Sequence, residues 1–129
     1  MEEVVPMTVV HQADARRTET PAGVMTTLAS PGQGGAHTAV WRVEMRPGAT
    51  GPVHVINVEQ VWTVISGGVN VVVGDDTLSA GTGDTVILPG DATRQVTAGP
   101  DGLTAIVAAP ADAHAVTPDG TKVVPPWIV

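Results

Sequence analysis

LSAGTGDTVILPGD, residues 78–91, decides how this chain folds. It holds two turn clusters with a short strand between them. GTGD (81–84) and PGD (89–91) combine Gly, Pro and Asp, the residues that tolerate or impose turn dihedrals. Thr85 to Leu88 reads TVIL, an apolar, β-branched run that suits a pleated surface. Thr77 to Ala80 is another short strand, just ahead of GTGD.

The same rhythm continues in both directions. Upstream, Gln60 to Ser66 reads as a strand with Gln60, Trp62 and Val64 on one face. Gly67-Gly68 fits a hairpin turn, Val69 to Val73 returns, and GDD (74–76) turns again. Downstream, Ala92 to Thr97 is a strand, Ala98 to Gly102 a turn, and Leu103 to Ala109 an apolar strand. His37 to Met45 alternates, with Trp41, Val43 and Met45 on one face and Val40, Arg42 and Glu44 on the other. RPGATGP (46–52) turns and PGQGG (31–35) loops. Val4 to Val10 and Gly23 to Ala29 are candidate strands, while residues 11–20 have room for one helical turn before Pro21. Eight or nine short strands at about ten-residue spacing argue for an all-β sandwich or small barrel. No repeat or linker divides the sequence. The expectation is one domain over 1–129, with a core barrel at about 37–110, N-terminal strands in 4–29 and a tail over 111–129 that ends PPWIV.

Composition excludes several functions. The 129 residues carry a formal charge of −7 with only six Lys or Arg, against the basic patches that nucleic acid and anionic membranes require. No apolar run is long enough for a membrane helix, and the acidic MEEVVPMTVV lacks the basic start of a signal peptide. A cytoplasmic protein is the expectation. With no Cys, disulfides, thiolate metal sites and thiol nucleophiles are absent. Tyr and Phe are absent too, and the aromatic residues are Trp41, Trp62 and Trp127. No Ser–His–Asp spacing or phosphate-binding glycine loop is present.

RPGATGPVHVINVEQVWTVISGG (46–68) resembles the first motif of the cupin family: Gly, five residues, His-x-His, three or four residues, Glu, six residues, Gly. Gly48, His54 and Gly67 stand at the right intervals. GDTVILPGDATRQ (83–95) resembles the second motif, with Gly83 and Pro89 in place. The resemblance implies a cupin jelly-roll-like β-barrel, or double-stranded β-helix, of the RmlC-like kind. It also implies a homodimer, with the N-terminal strand paired across it to cover an exposed edge. The resemblance also implies Fe, Mn, Ni, Zn or Cu held through three His and one Glu or Gln. Here the first His is His54, but Ile56 takes the second His position, Gln60 the carboxylate position and Arg94 the third His position. Ile offers no donor, an amide oxygen is a weak ligand, and Arg is a permanent cation with no lone pair. The sequence therefore points away from a metal. If one is bound, His54 and Gln60 are its ligands, and a bulge could swing Glu59 inward to help.

On the cupin frame His54, Ile56, Gln60 and Arg94 face the lumen, with Trp62, Val64 and Val96 deeper. That pattern, apolar walls with a few convergent polar groups, belongs to a small-molecule site. Arg94 would hold a carboxylate, enolate or carbonyl oxygen bidentately, or pair with Glu59 or Glu44 of the chain itself. His54 would move protons near neutral pH. Gln60 would bond Arg94 or His54, and Ile56, Trp62 and Glu59 would contact the ligand. His11, His37 and His114 read as surface or turn residues, and Trp127 as docking the tail on the barrel or on a second subunit. Three readings follow: a metal-independent isomerase, cyclase or lyase; a metal-dependent dioxygenase with a reduced ligand set; and a non-catalytic binding or sensing module with a filled barrel.

Overall fold

The computed structural model describes residues 7–129. The strands are β1 (Arg16–Glu19), β2 (Val24–Ala29), β3 (Thr38–Met45), β4 (His54–Ile56), β5 (Gln60–Val73), β6 (Asp76–Gly81), β7 (Thr85–Leu88), β8 (Thr93–Pro110), β9 (Ala115–Val116) and β10 (Lys122–Val123). Two 3-10 turns, Gln12–Asp14 and Pro126–Ile128, lie near the ends. They form one curled antiparallel sheet in the order β1-β2-β3-β8-β4-β9-β10, with β5 joined to β8 and carrying β6 and β7. The all-β architecture expected from the punctuation, and the jelly roll implied by the cupin resemblance, are observed.

β8 is the spine. Its second half pairs with β3 on one edge (Trp41↔Val107) and β5 on the other (Trp62↔Val107). Its first half pairs with β4 and with the far end of β5. Period-two alternation turns Trp41, Val43 and Met45 of β3 inward, as their spacing predicts, while Arg42 and Glu44 lie outside and pair with each other at 3.2 Å. Val64, Val71, Leu88 and Val107 complete the centre. Each such side chain contributes about 1.5–3 kcal/mol on full burial.

Two expected turns are instead continuous strand. Gly67-Gly68 does not reverse the chain, because β5 runs straight through it. Residues 98–102 likewise lie within β8. The two glycine points meet. Gly67 (φ 77°) lies against Gly102 (φ 84°), and a Cβ on Gly67 would overlap the Gly102 carbonyl oxygen. The pairing register shifts on both sides of this point, so paired bulges bend β5 and β8 together and close the curl. At the N-terminus, the expected strand over Val4 to Val10 lies partly outside the described residues, and Met7 to Val10 form no strand.

The C-terminal segment folds back over the barrel mouth. Ile56 and Val55 of β4 pair with β9, and Thr27 Oγ1 donates to the Trp127 carbonyl at 2.8 Å. Ser30 Oγ donates to the Val129 carbonyl at 2.8 Å. Trp127 thus docks on its own barrel, packed against the core.

Candidate ligand-binding site

The curl encloses a cavity of about 550 Å³. A second hollow, about 420 Å³ beside Pro31, His37, Ala111 and Asp112, shares none of its residues. The larger cavity is lined by β3 through Trp41, Val43 and Met45, by Trp62 of β5, and by Trp127 and Ile128 of the tail. His54, Ile56, Gln60 and Arg94 also line it, so the structure brings together the four positions singled out by the cupin motifs. Val96 joins them, while Val64 is buried in the core behind.

The polar groups cluster. His54 on β4 stands directly opposite Arg94 on β8. Arg94 Nη2 donates to the Pro89 carbonyl at 2.6 Å, and the preceding Leu88 pairs with Gln60. Arg94 is only 1% exposed, and its Nε and Nη1 have no partner among the described residues. Burial lowers its pKa, yet a guanidinium stays charged across the physiological range. The only ion pair among the described residues is Arg42–Glu44 at the surface. Neither Glu44 nor Glu59 therefore neutralises Arg94, although the sequence allowed either.

His54 Nδ1 lies 2.8 Å from the Pro52 carbonyl. A carbonyl only accepts, so Nδ1 carries the proton and Nε2 keeps its lone pair. Burial pushes the His54 pKa down, the Pro52 bond partly opposes this, and the Arg94 charge lowers it further. The imidazole is thus held neutral at pH 7, in a fixed tautomer.

Two expectations are corrected. Gln60 is buried, but its Oε1 accepts from Trp62 Nε1 at 3.2 Å and bonds neither Arg94 nor His54. Residues i and i+2 share a strand face, which brings the indole N–H to the amide. Glu59 is exposed and does not line the cavity, because Gln60 beside it faces inward and the register shifts of β5 fall later, around Ser66 to Val69. The tail does more than dock: Ala113, Ala115 and Trp127 form part of the cavity wall. The apolar PPWIV ending was the one signal that could have placed it there.

A divalent transition metal does not fit this donor set. Ile56 has no donor, the Gln60 oxygen already accepts an indole N–H, and the third position presents a buried cation. Among the described residues no group of three His, Asp or Glu is placed to hold a metal ion.

Curled sheet and lined lumen define a cupin-type barrel, and the comparisons agree. The cupin domain family model matches residues 41–108, just over half the chain. The chain belongs to the cupin family. Among solved structures it is similar to oxalate decarboxylase from Bacillus subtilis, with 16% identity and a TM-score of 0.71 over 84% of this chain. It spans only 30% of that decarboxylase chain. It is also similar to an RmlC-like cupin from Shewanella frigidimarina, with 17% identity and a TM-score of 0.67, covering 80% of this chain and 89% of that one. No curated protein matches by sequence. At these identities the likeness defines the fold. Among the described residues no helix is long and apolar enough to cross a membrane.

Proposed function

We propose that the chain is a small-molecule-binding cupin that works without a metal, as an isomerase, cyclase or lyase on an anionic or carbonyl-bearing compound. One observation carries this reading: Arg94 is buried in the cavity wall with two guanidinium nitrogens, Nε and Nη1, unpaired among the described residues. A buried cation without a counter-charge is unfavourable by several kcal/mol, and an anionic oxygen from a ligand relieves it.

Chemistry follows from the neighbour. With a carbonyl or carboxylate oxygen on Arg94, charge developing on that oxygen is stabilised in a water-poor site. His54 Nε2, neutral and across the strand pair, takes a proton from the adjacent carbon. The C–H electron pair becomes the new C=C of an enolate, and the imidazolium returns the proton at either end. Returning it at a different position is isomerisation. Losing a β-substituent from the enolate is a lyase step. The cavity volume supports a ligand over a filled barrel, since it falls within the roughly 300–1,000 Å³ of small-molecule sites. Exposed Ile65 and Ile87, on the outer face of β5 and β7, support a homodimer, which sedimentation would measure.

Metal analysis of the purified protein is the test. The expected result is no stoichiometric Fe, Mn, Ni or Zn and a melting temperature insensitive to chelator. A stoichiometric metal that disappears in His54→Ala overturns the proposal in favour of the dioxygenase reading.

A further inference from the structure

The cavity is chemically lopsided. Arg94, His54 and Gln60 lie within one linked patch, through the His54↔Arg94 and Gln60↔Leu88 pairings and the Arg94–Pro89 bond. The wall beyond it is apolar: Met25, Trp41, Val43 and Met45 on β2 and β3, with Trp127 and Ile128 of the tail. Of the six basic residues in the sequence, only Arg94 reaches this cavity.

We infer that the ligand is an amphiphilic monoanion: one carboxylate on Arg94 and a hydrophobic body, alkyl or aryl, along the Trp41–Met45–Trp127 wall. This rests on the reading of Arg94 as a ligand anchor. Each half of the ligand answers a different part of the site. A neutral lipophile would cover the wall but leave the guanidinium buried, dry and unpaired. A small dianion would pair once and then hold a second carboxylate against apolar side chains, with no surface of its own to bury. The oxalate in the name of the Bacillus subtilis neighbour is such a dianion, so the inferred ligand class departs from it. A single carboxylate with a body of six to ten carbons satisfies both halves, since a cavity of about 550 Å³ has room for it.

The three tryptophans supply the assay. Trp41, Trp62 and Trp127 all line the cavity, and the sequence contains no other Trp and no Tyr. Acetate, butyrate, hexanoate, octanoate, octan-1-ol and oxalate are titrated by tryptophan fluorescence and by isothermal calorimetry, so that a spectroscopically silent event is still seen. For the linear carboxylates, affinity should rise about fourfold per methylene until the cavity is full. Octan-1-ol should bind at least tenfold more weakly than octanoate, and oxalate no better than acetate. In Arg94→Gln, octanoate should fall to the level of octan-1-ol, whereas Arg94→Lys should keep a preference for the acid. Circular dichroism checks that both variants fold. If oxalate or acetate matches octanoate, and Arg94→Gln abolishes both, the amphiphile is wrong while the anion anchor stands. Equal binding of octanoate and octan-1-ol to the unmodified protein overturns the anion anchor itself. No binding of any probe overturns both.

Discussion

Arg94→Met should make this protein more stable. Two guanidinium nitrogens, Nε and Nη1, are buried without a partner among the described residues, and each such unsatisfied atom is unfavourable by about 1–3 kcal/mol. Against this stands one charge-assisted bond, Nη2 to the Pro89 carbonyl at 2.6 Å, worth about 1.5–3 kcal/mol. Central values give about 4 kcal/mol relieved and about 2 kcal/mol lost. Met keeps an unbranched apolar stem of similar reach, so little packing is sacrificed. The net gain is about 2 kcal/mol, near the lower end of what replacing buried ionic groups with apolar ones delivers. For a chain of this length that is a rise in melting temperature of roughly 6–10 °C. Differential scanning calorimetry at pH 7, with urea unfolding for the free energy, measures it. A fall of more than about 3 °C would refute the reasoning. It would mean that the guanidinium is already satisfied and holds the Pro89 turn, leaving it nothing to offer a ligand. A rise accompanied by loss of carboxylate binding is the signature of a residue kept for function at a cost in stability.

Three further outcomes are expected. Because the folded-state pKa of His54 lies below its ordinary value, the unfolded chain binds more protons between the two. The His54 contribution to stability is therefore complete above about pH 6.5 and declines as pH drops toward the lowered value. Urea unfolding from pH 4 to 8 should show that slope missing from His54→Asn; a difference curve of opposite sign refutes the lowered pKa. Gly67→Ala should cost more than about 3 kcal/mol, because backbone strain adds to overlap with the Gly102 carbonyl, while Gly74→Ala, at φ 58° in open space, should cost about 1 kcal/mol. Equal losses in thermal melts would show that Gly67 is needed only for its dihedral. Thr27→Val should cost about 1–2 kcal/mol by orphaning the Trp127 carbonyl, and should shift tryptophan emission to the red as the tail loosens; unchanged emission would mean that other contacts hold the tail.

Much of the fold was legible because its signals are local. Alternation across Thr38–Met45 and the Gly, Pro and Asp clusters around Thr85–Leu88 depend on neighbours in sequence. Structure departs from the local signals where distant segments decide. Gly67-Gly68 has the composition of a hairpin, but β5 continues through it because Gly102, far along the chain, nests against Gly67. The site shows the same division. Motif spacing brought His54, Ile56, Gln60 and Arg94 to one lumen, while Glu59, just ahead of β5, stays out of it. Gln60 found Trp62, two residues on, a partner within reach of strand periodicity. That no carboxylate of the chain reaches Arg94 among the described residues is a fact of three-dimensional packing.

If Arg94 anchors an anionic ligand as proposed, it also sets the kinetics of ligand entry. The sequence holds thirteen acidic residues and six basic ones, and one of those six is sealed inside the barrel. An approaching carboxylate first meets a negative exterior and is drawn in only after it passes the mouth. Ordinary electrostatic steering weakens as salt is added. Here added salt screens repulsion over the outer Debye length of about 8 Å, and leaves the buried attraction nearly untouched. The association rate of an anionic ligand should therefore climb with ionic strength while its dissociation rate stays nearly flat.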